Sequence, residues 1–200
     1  AETVQAVAES SGRSRAFFVD RDGTIIKEKH FLADPDGVEF EEGAVEALRL
    51  IGEMGYKIVI LSNQSGVARG KLDIAQVEQV NARLLEMLIG EGVEVDGLYY
   101  CPHHRDGVRR HYAIACDCRK PAAGMPEEAA RQLGIDLRRS VVVGDKLADL
   151  NLGRVIGARS FLVKTGYGAE QFRMLRGSEK EMACENLLAV VKKVELTGLQ

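Results

Sequence analysis

The segment FFVDRDGTII places two carboxylates, Asp20 and Asp22, around Arg21 at the point where an apolar run stops. A second segment, VVVGDKLAD, delivers Asp145 at the end of another apolar run, with Lys146 beside it and Asp149 four residues on. One Asp at a strand end ordinarily caps a turn or a helix. Acids brought from two strand ends to one place repel each other and require a cation. A hard ion such as Mg²⁺, held by one or two carboxylates, water and a substrate phosphate, suits them. A carboxylate is also a competent nucleophile toward phosphorus, forming an aspartyl-phosphate. That chemistry needs an ion for the phosphoryl charge, a lysine or hydroxyl on the phosphoryl oxygens, and an acid for the leaving oxygen. Ser62 in VILSNQSG, Lys120 in CRKP, Lys146 and Asp22 are candidates for these parts. Arg21 gains no role from its spacing.

A second constellation lies in YYCPHH and CDCRK, where Cys101, His103, Cys116 and Cys118 make a Cys-x-His, twelve-residue, Cys-x-Cys pattern. Three thiols and an imidazole so close in a polar stretch fit a closed tetrahedral Zn²⁺ site. His104 and His111 compete with His103 for the fourth place. Four protein ligands leave no open position for water, so such a site is structural. It would clip the loop that carries Arg119 and Lys120. Cys184, far from the others, reads as a small core residue.

The elements that must position these groups alternate along the chain. AFFV (16–19), YKIVILS (56–62), VDGLYYC (95–101), SVVVGD (140–145) and ARSFLVK (158–164) read as strands. Between them lie helical patterns. Val45, Leu48 and Ile51 end at Gly55; Asp73 caps a helix over 74–89 with Val77, Val80, Leu84 and Leu88 on one face. A short helix sits between Pro126 near its first position and Gly134 past its end. A helix follows over about 147–156, and a C-terminal one carries Leu187, Val190, Val191 and Val194. Lys164, Thr165 and Gly166 read as a turn. Continuous apolar strands alternating with helices predict an α/β fold, a Rossmann-like three-layer sandwich with a mainly parallel sheet. Ligands in such sheets bind at the carboxyl ends of the strands, where strand order reverses. Asp20 with Asp22, Ser62 with Asn63, and Asp145 all fall at such ends.

A chain of 200 residues predicts one domain, over 15–200, behind a flexible tail at 1–14. A net charge of −3 without a basic stripe argues against nucleic acid or an anionic membrane as partner. No apolar stretch reaches the length of a membrane span and the first residues lack a signal-peptide core, so a cytoplasmic protein is expected. No heptad seam demands a second copy, and a monomer is the expectation.

DRDGT, the strand-terminal Ser62, Lys120 in CRKP and VGDKLAD resemble, in order and spacing, the four motifs of the haloacid dehalogenase superfamily of phosphotransferases. The resemblance covers about residues 16–190. It implies Asp20 as nucleophile and Asp22 as general acid, then as base for water. It implies Mg²⁺ held by the Asp20 carboxylate, the Asp22 carbonyl and the Asp145 carboxylate, with Asp149 behind them and with Ser62 and Lys120 on the phosphoryl group. The loop between Thr24 and Glu42 and the zinc stretch are too short for a cap domain, which favours small phosphate esters. Within the superfamily, FVDRDGTI, SNQSGVARGK, YYCPHH and CDCRKP resemble the heptose bisphosphate phosphatases, with the histidinol-phosphate phosphatases as a sister branch. By that resemblance the substrate contacts are Glu28, Phe31, Ser62, Asn63, Gln64, Ser65, Arg119, Lys120 and Lys146. Ser62 stands where that family usually has Thr, and Glu28 and Phe31 where it often has Asp and Tyr. Arg69 and Lys71 divide evenly between solvated charge and substrate contact, and His30 reads as a surface residue. A phospho-acceptor signalling domain is the alternative from another class; Asp22 and the zinc pattern argue against it.

Overall fold

A computed structural model describes residues 12–198. Six strands form one parallel sheet: β1 (Ala16–Val19), β2 (Lys57–Asn63), β3 (Gly97–Cys101), β4 (Val141–Gly144), β5 (Arg159–Val163) and β6 (Ala183–Cys184), in the order β3-β2-β1-β4-β5-β6. The helices are α1 (Ala44–Glu53), α2 (Ile74–Gly90), α3 (Gly124–Leu133), α4 (Leu147–Ile156), α5 (Gly168–Phe172) and α6 (Leu187–Thr197).

Side chains alternate across a strand, so a strand covered on both faces must be apolar at every position. β1 does this with four residues. Phe17 and Val19 pack with Leu48 and Ile51 of α1, Leu84 and Leu88 of α2, and Val190 and Val194 of α6. Ala16 and Phe18 pack on the other face with Met125 and Ala129 of α3 and Leu152 of α4. The Phe17 ring meets Tyr56 edge-on at 4.9 Å; truncating it to Ala would cost about 3–5 kcal/mol.

The register positions the chemistry. Val19 lies level with Ile60 of β2 and Val143 of β4. The next residues along each strand are therefore Asp20, Leu61 and Gly144, followed by Ser62 and Asp145. Strand order reverses at β1, between β2 and β4, where a ligand crevice is expected.

The main elements fall where the apolar periodicity puts them. Pro126 is the third residue of α3 rather than the first. The helix α5, a 3₁₀ turn at Gly177–Met182 and the two-residue β6 carry no periodic signal and were not anticipated. Cys184 lies on β6, half-buried against the core. Of the tail expected at 1–14, residues 1–11 lie outside the described residues. Ser14 donates its N–H to the Gly134 carbonyl and accepts from Asp136. No described helix is long and apolar enough to cross a membrane.

Candidate active site

Directly after β1 the chain folds back on itself. Ile25 and Ile26 both donate to the Arg21 carbonyl, and Gly23 donates to Ile26. Gly23 has φ of +78°, and a Cβ there would stand 2.3 Å from Asp145 Oδ2. Only glycine lets this loop lie against Asp145. The loop after β5 closes the other side: Thr165 donates its hydroxyl to the Gly23 carbonyl at 2.6 Å, and the Tyr167 N–H donates to Asp145 Oδ2 at 2.9 Å. Lys164–Gly166 therefore belongs to a segment that braces the acids, beyond simply turning the chain.

Ligand oxygens of Asp20, Asp145 and Asp149 lie within 4.8 Å of one another, all buried. Lys120, itself buried, places Nζ 2.6 Å from Asp20 Oδ1 and 2.7 Å from Asp149 Oδ1, and donates to the Leu61 carbonyl at 2.7 Å. Asp149 Oδ1 has no hydrogen bond of good geometry despite that proximity. Burial works against the charge on Lys120, but Asp149 and Asp20 outweigh it and push its proton affinity up. Lys146 sits 3.1 Å from Asp145 and 3.5 Å from Glu28. Burial and then the Asp20 charge push Asp145 up to about 7. Three buried acids against two lysines leave an uncompensated negative charge and an orphaned oxygen. The set fits a divalent cation such as Mg²⁺. No hydrogen bond among the described residues engages the Asp22 carbonyl. The Asp22 side chain turns instead to Arg21 and to Gln64, whose Nε2 bridges Asp22 Oδ2 at 2.8 Å and Ser62 Oγ at 2.6 Å.

Above this floor opens a cavity of about 440 Å³. It brings together Asp20, Asp22, Glu28, Phe31, Ser62, Asn63, Gln64, Ser65, Arg119, Lys120 and Lys146, all named from the sequence. Asp145 lies beneath, fully buried. Asn63 faces the Lys120 peptide, its amide donating to the Lys120 carbonyl at 3.1 Å and its oxygen accepting from the Lys120 N–H at 3.0 Å. It holds the lysine segment against β2.

Leu32, Ala148 and Asp149 line the cavity as well, and so do Arg69, His30 and Tyr167. Arg69, evenly weighed from the sequence, reaches it and stands 3.0 Å from His104 Nε2. His30 is exposed, as a surface residue should be, and also stands on the cavity wall, where its Nδ1 meets the Tyr167 hydroxyl. His30 and Phe31 have φ of +45° and +51°, which costs a residue other than glycine about 1–2 kcal/mol. Tyr167 was missed because it comes from a loop without periodicity. Lys71 does not line the cavity.

The zinc candidates also converge. Cys101 Sγ lies 3.5 Å from Cys116 Sγ and 3.7 Å from His103 Nδ1, and Cys118 Sγ lies 3.4 Å from Cys116 Sγ and 3.3 Å from His103 Nδ1. A tetrahedron with Zn–S bonds of about 2.3 Å has edges of about 3.8 Å. All four cysteines are free thiols, and burial raises the Cys101 thiol well above its usual range. The donor set and spacing fit Zn²⁺. His103 is the imidazole in the cluster, while His104 turns to Arg69. The His103 carbonyl accepts from Arg119 Nη1 at 3.3 Å, which ties the cluster to the cavity.

A family profile described as HAD-hydrolase-like matches residues 117–188. The chain is 42% identical over 153 residues to a D-glycero-β-D-manno-heptose-1,7-bisphosphate 7-phosphatase of Photorhabdus laumondii, covering 76% of this chain and 81% of that one. It is 42% identical to the protein of the same description from Haemophilus influenzae, over 76% and 83%. Among solved structures it resembles the D,D-heptose 1,7-bisphosphate phosphatase of B. bronchiseptica, complexed with magnesium and phosphate, with a TM-score of 0.79 and 30% identity over 92% of this chain and 99% of that one.

Proposed function

This chain belongs to the haloacid dehalogenase-like hydrolases and is a phosphatase, and from that premise we propose that it hydrolyses D-glycero-β-D-manno-heptose 1,7-bisphosphate at the 7-phosphate. The observation that carries the reading is Asp20, lying under Lys120 at the floor of a cavity walled by Arg69, Arg119 and Lys146. A cavity of this size is right for one small ligand, and the four cations that line it, Arg69, Arg119, Lys120 and Lys146, suit a sugar carrying two phosphates. The names of the relatives support the substrate and its anomer.

In this reading an Asp20 oxygen attacks the 7-phosphorus. The bond from phosphorus to the sugar oxygen breaks, and that oxygen takes the proton of Asp22. Ser62 and Lys120 hold the phosphoryl oxygens. Asp22 then takes a proton from water as the water attacks phosphorus, breaking the bond to Asp20 and releasing phosphate. Asp20, the Asp22 carbonyl and Asp145 would hold Mg²⁺, which when bound neutralises charge on the transferring group. The likeness to a relative complexed with magnesium and phosphate supports this assignment. Asp149 keeps Lys120 aimed. Cys101, His103, Cys116 and Cys118 would hold Zn²⁺ and with it the loop carrying Arg119. Glu28, Phe31, Asn63, Gln64, Ser65 and Lys146, with His30, Tyr167 and Arg69, surround the sugar and its second phosphate. Residues 15–200 act as one cytoplasmic catalytic unit.

Phosphate release from both heptose bisphosphate anomers and from histidinol phosphate tests the reading. The β-heptose bisphosphate should give the highest kcat/KM; preference for histidinol phosphate would overturn it.

A further inference from the structure

Arg21 has no part in the reaction described above, yet it is among the largest fully buried side chains, 1% exposed. A buried guanidinium is costly unless every donor is matched. Its partners come from two directions. Nε and Nη2 fork around the Asp22 carboxylate, at 3.1 and 2.9 Å from Oδ2, with Nη2 also 3.1 Å from Oδ1. Nη1 donates to Asn81 Oδ1 at 2.7 Å. Asn81 is a buried polar residue among the apolar positions of α2. The Arg21–Asp22 pair joins neighbours in sequence and so closes no loop. Its tertiary anchor is Asn81.

The contacts on Asp22 are unequal. Oδ2 accepts from Arg21 Nε, Arg21 Nη2 and Gln64 Nε2, while Oδ1 receives only the longer Nη2 contact. A planar fork fixes the plane of a carboxylate as well as its place. We propose that Arg21, braced by Asn81, is a positioning residue for Asp22, loading Oδ2 with donors and leaving Oδ1 to carry the proton to and from the reacting oxygens. The inference rests on the reading of Asp22 as acid and base.

The test separates the two. A sugar alkoxide needs a proton in order to leave, whereas p-nitrophenolate does not. With Arg21→Met, kcat for the heptose bisphosphate should fall about 10²-fold, the scale of a misplaced catalytic group, while KM changes by less than about threefold. With p-nitrophenyl phosphate the same variant should release one equivalent of nitrophenolate in a burst and then slow, because Asp20 is still phosphorylated but water is poorly activated. Asp22→Asn should show the same pattern more strongly. If Asp22→Asn shows neither the selective loss nor the burst, the assignment of Asp22 fails. If Asp22→Asn shows both and folded Arg21→Met shows neither, the positioning role is refuted. Asn81→Ala, which leaves the fork itself in place, covers the case in which Arg21→Met does not fold. It should lower kcat for the heptose ester about tenfold with KM unchanged, and wild-type kcat in that variant refutes the brace.

Discussion

Lys120 holds two buried carboxylates at once, and Lys120→Met removes that cation while keeping most of the side-chain volume. Its Nζ stands 2.6 Å from Asp20 and 2.7 Å from Asp149, with side chains 3%, 6% and 2% exposed. The variant leaves both acids uncompensated. Removing one partner of a buried ion pair costs about 3–5 kcal/mol, a large share of the roughly 5–15 kcal/mol that keeps a domain folded. At about 2–4 °C per kcal/mol for a chain of this size, Tm should drop by roughly 6–20 °C. Adding Asp149→Asn to Lys120→Met removes one of the stranded charges, so the double variant should be more stable than Lys120→Met alone. Asp149→Asn alone still leaves Lys120 paired with Asp20 and should cost less than Lys120→Met. The cycle is measured by urea denaturation in chelator, followed by circular dichroism, so that no bound cation substitutes for the lysine. Neither Lys120 variant should turn over the heptose bisphosphate, because restored stability does not restore the lysine proposed to hold the phosphoryl oxygens. A Lys120→Met protein within about 1 kcal/mol of wild type, or a double variant no more stable than it, would refute the charge argument, since neighbours so close must couple.

Asp20→Asn should abolish phosphate release with the circular dichroism spectrum unchanged; retained turnover would remove Asp20 as nucleophile. Cys118→Ser should lose bound zinc by elemental analysis, lower Tm, and raise KM through Arg119, whose Nη1 rests on the His103 carbonyl. For Asp145, burial and Asp20 raise the folded value to about 7 from 3.8. The folded, metal-free protein therefore binds a proton that the unfolded chain has already lost, and its stability should fall as pH climbs from about 4 to about 7. Magnesium competes with that proton, so its stabilising effect on Tm should be larger at pH 7.5 than at about pH 5. Tyr167→Phe removes the hydroxyl that meets His30 and should raise KM for the bisphosphate about 2–10-fold with kcat little changed, as expected for a contact made equally in ground and transition states.

The acids could be read from the sequence because a strand buried on both faces has to be apolar at every position, so its end is abrupt. AFFV stops at Asp20 and VVVG at Asp145, and the β1–β4 register leaves those ends adjacent. The cluster of Cys101, His103, Cys116 and Cys118 was legible for a similar reason: thiols are scarce enough here that three within one polar stretch narrow the chemistry. His103, by contrast, could not be told from His104 and His111 until the backbone placed them. The missed features share a different property, since none leaves a period or a composition. Tyr167 reaches the cavity from a loop, and β6 is two residues long. The left-handed backbone at His30 and Phe31 follows from closing the 28–31 loop over the cavity, not from residue preference. Strain of about 1–2 kcal/mol per such residue persists only where surrounding contacts hold it. Here those contacts are the Glu28 carboxylate on the His30 N–H at 2.8 Å and Phe31 lying against Gly66. Arg21 is the extreme case. An arginine between two acids gains no role from its spacing, and only the position of α2, which brings Asn81 to it from 60 residues away, turns it into a buried fork. Pairs brought together by the fold, unlike strand ends, have no local pattern, and such pairs set the direction in which Asp22 points.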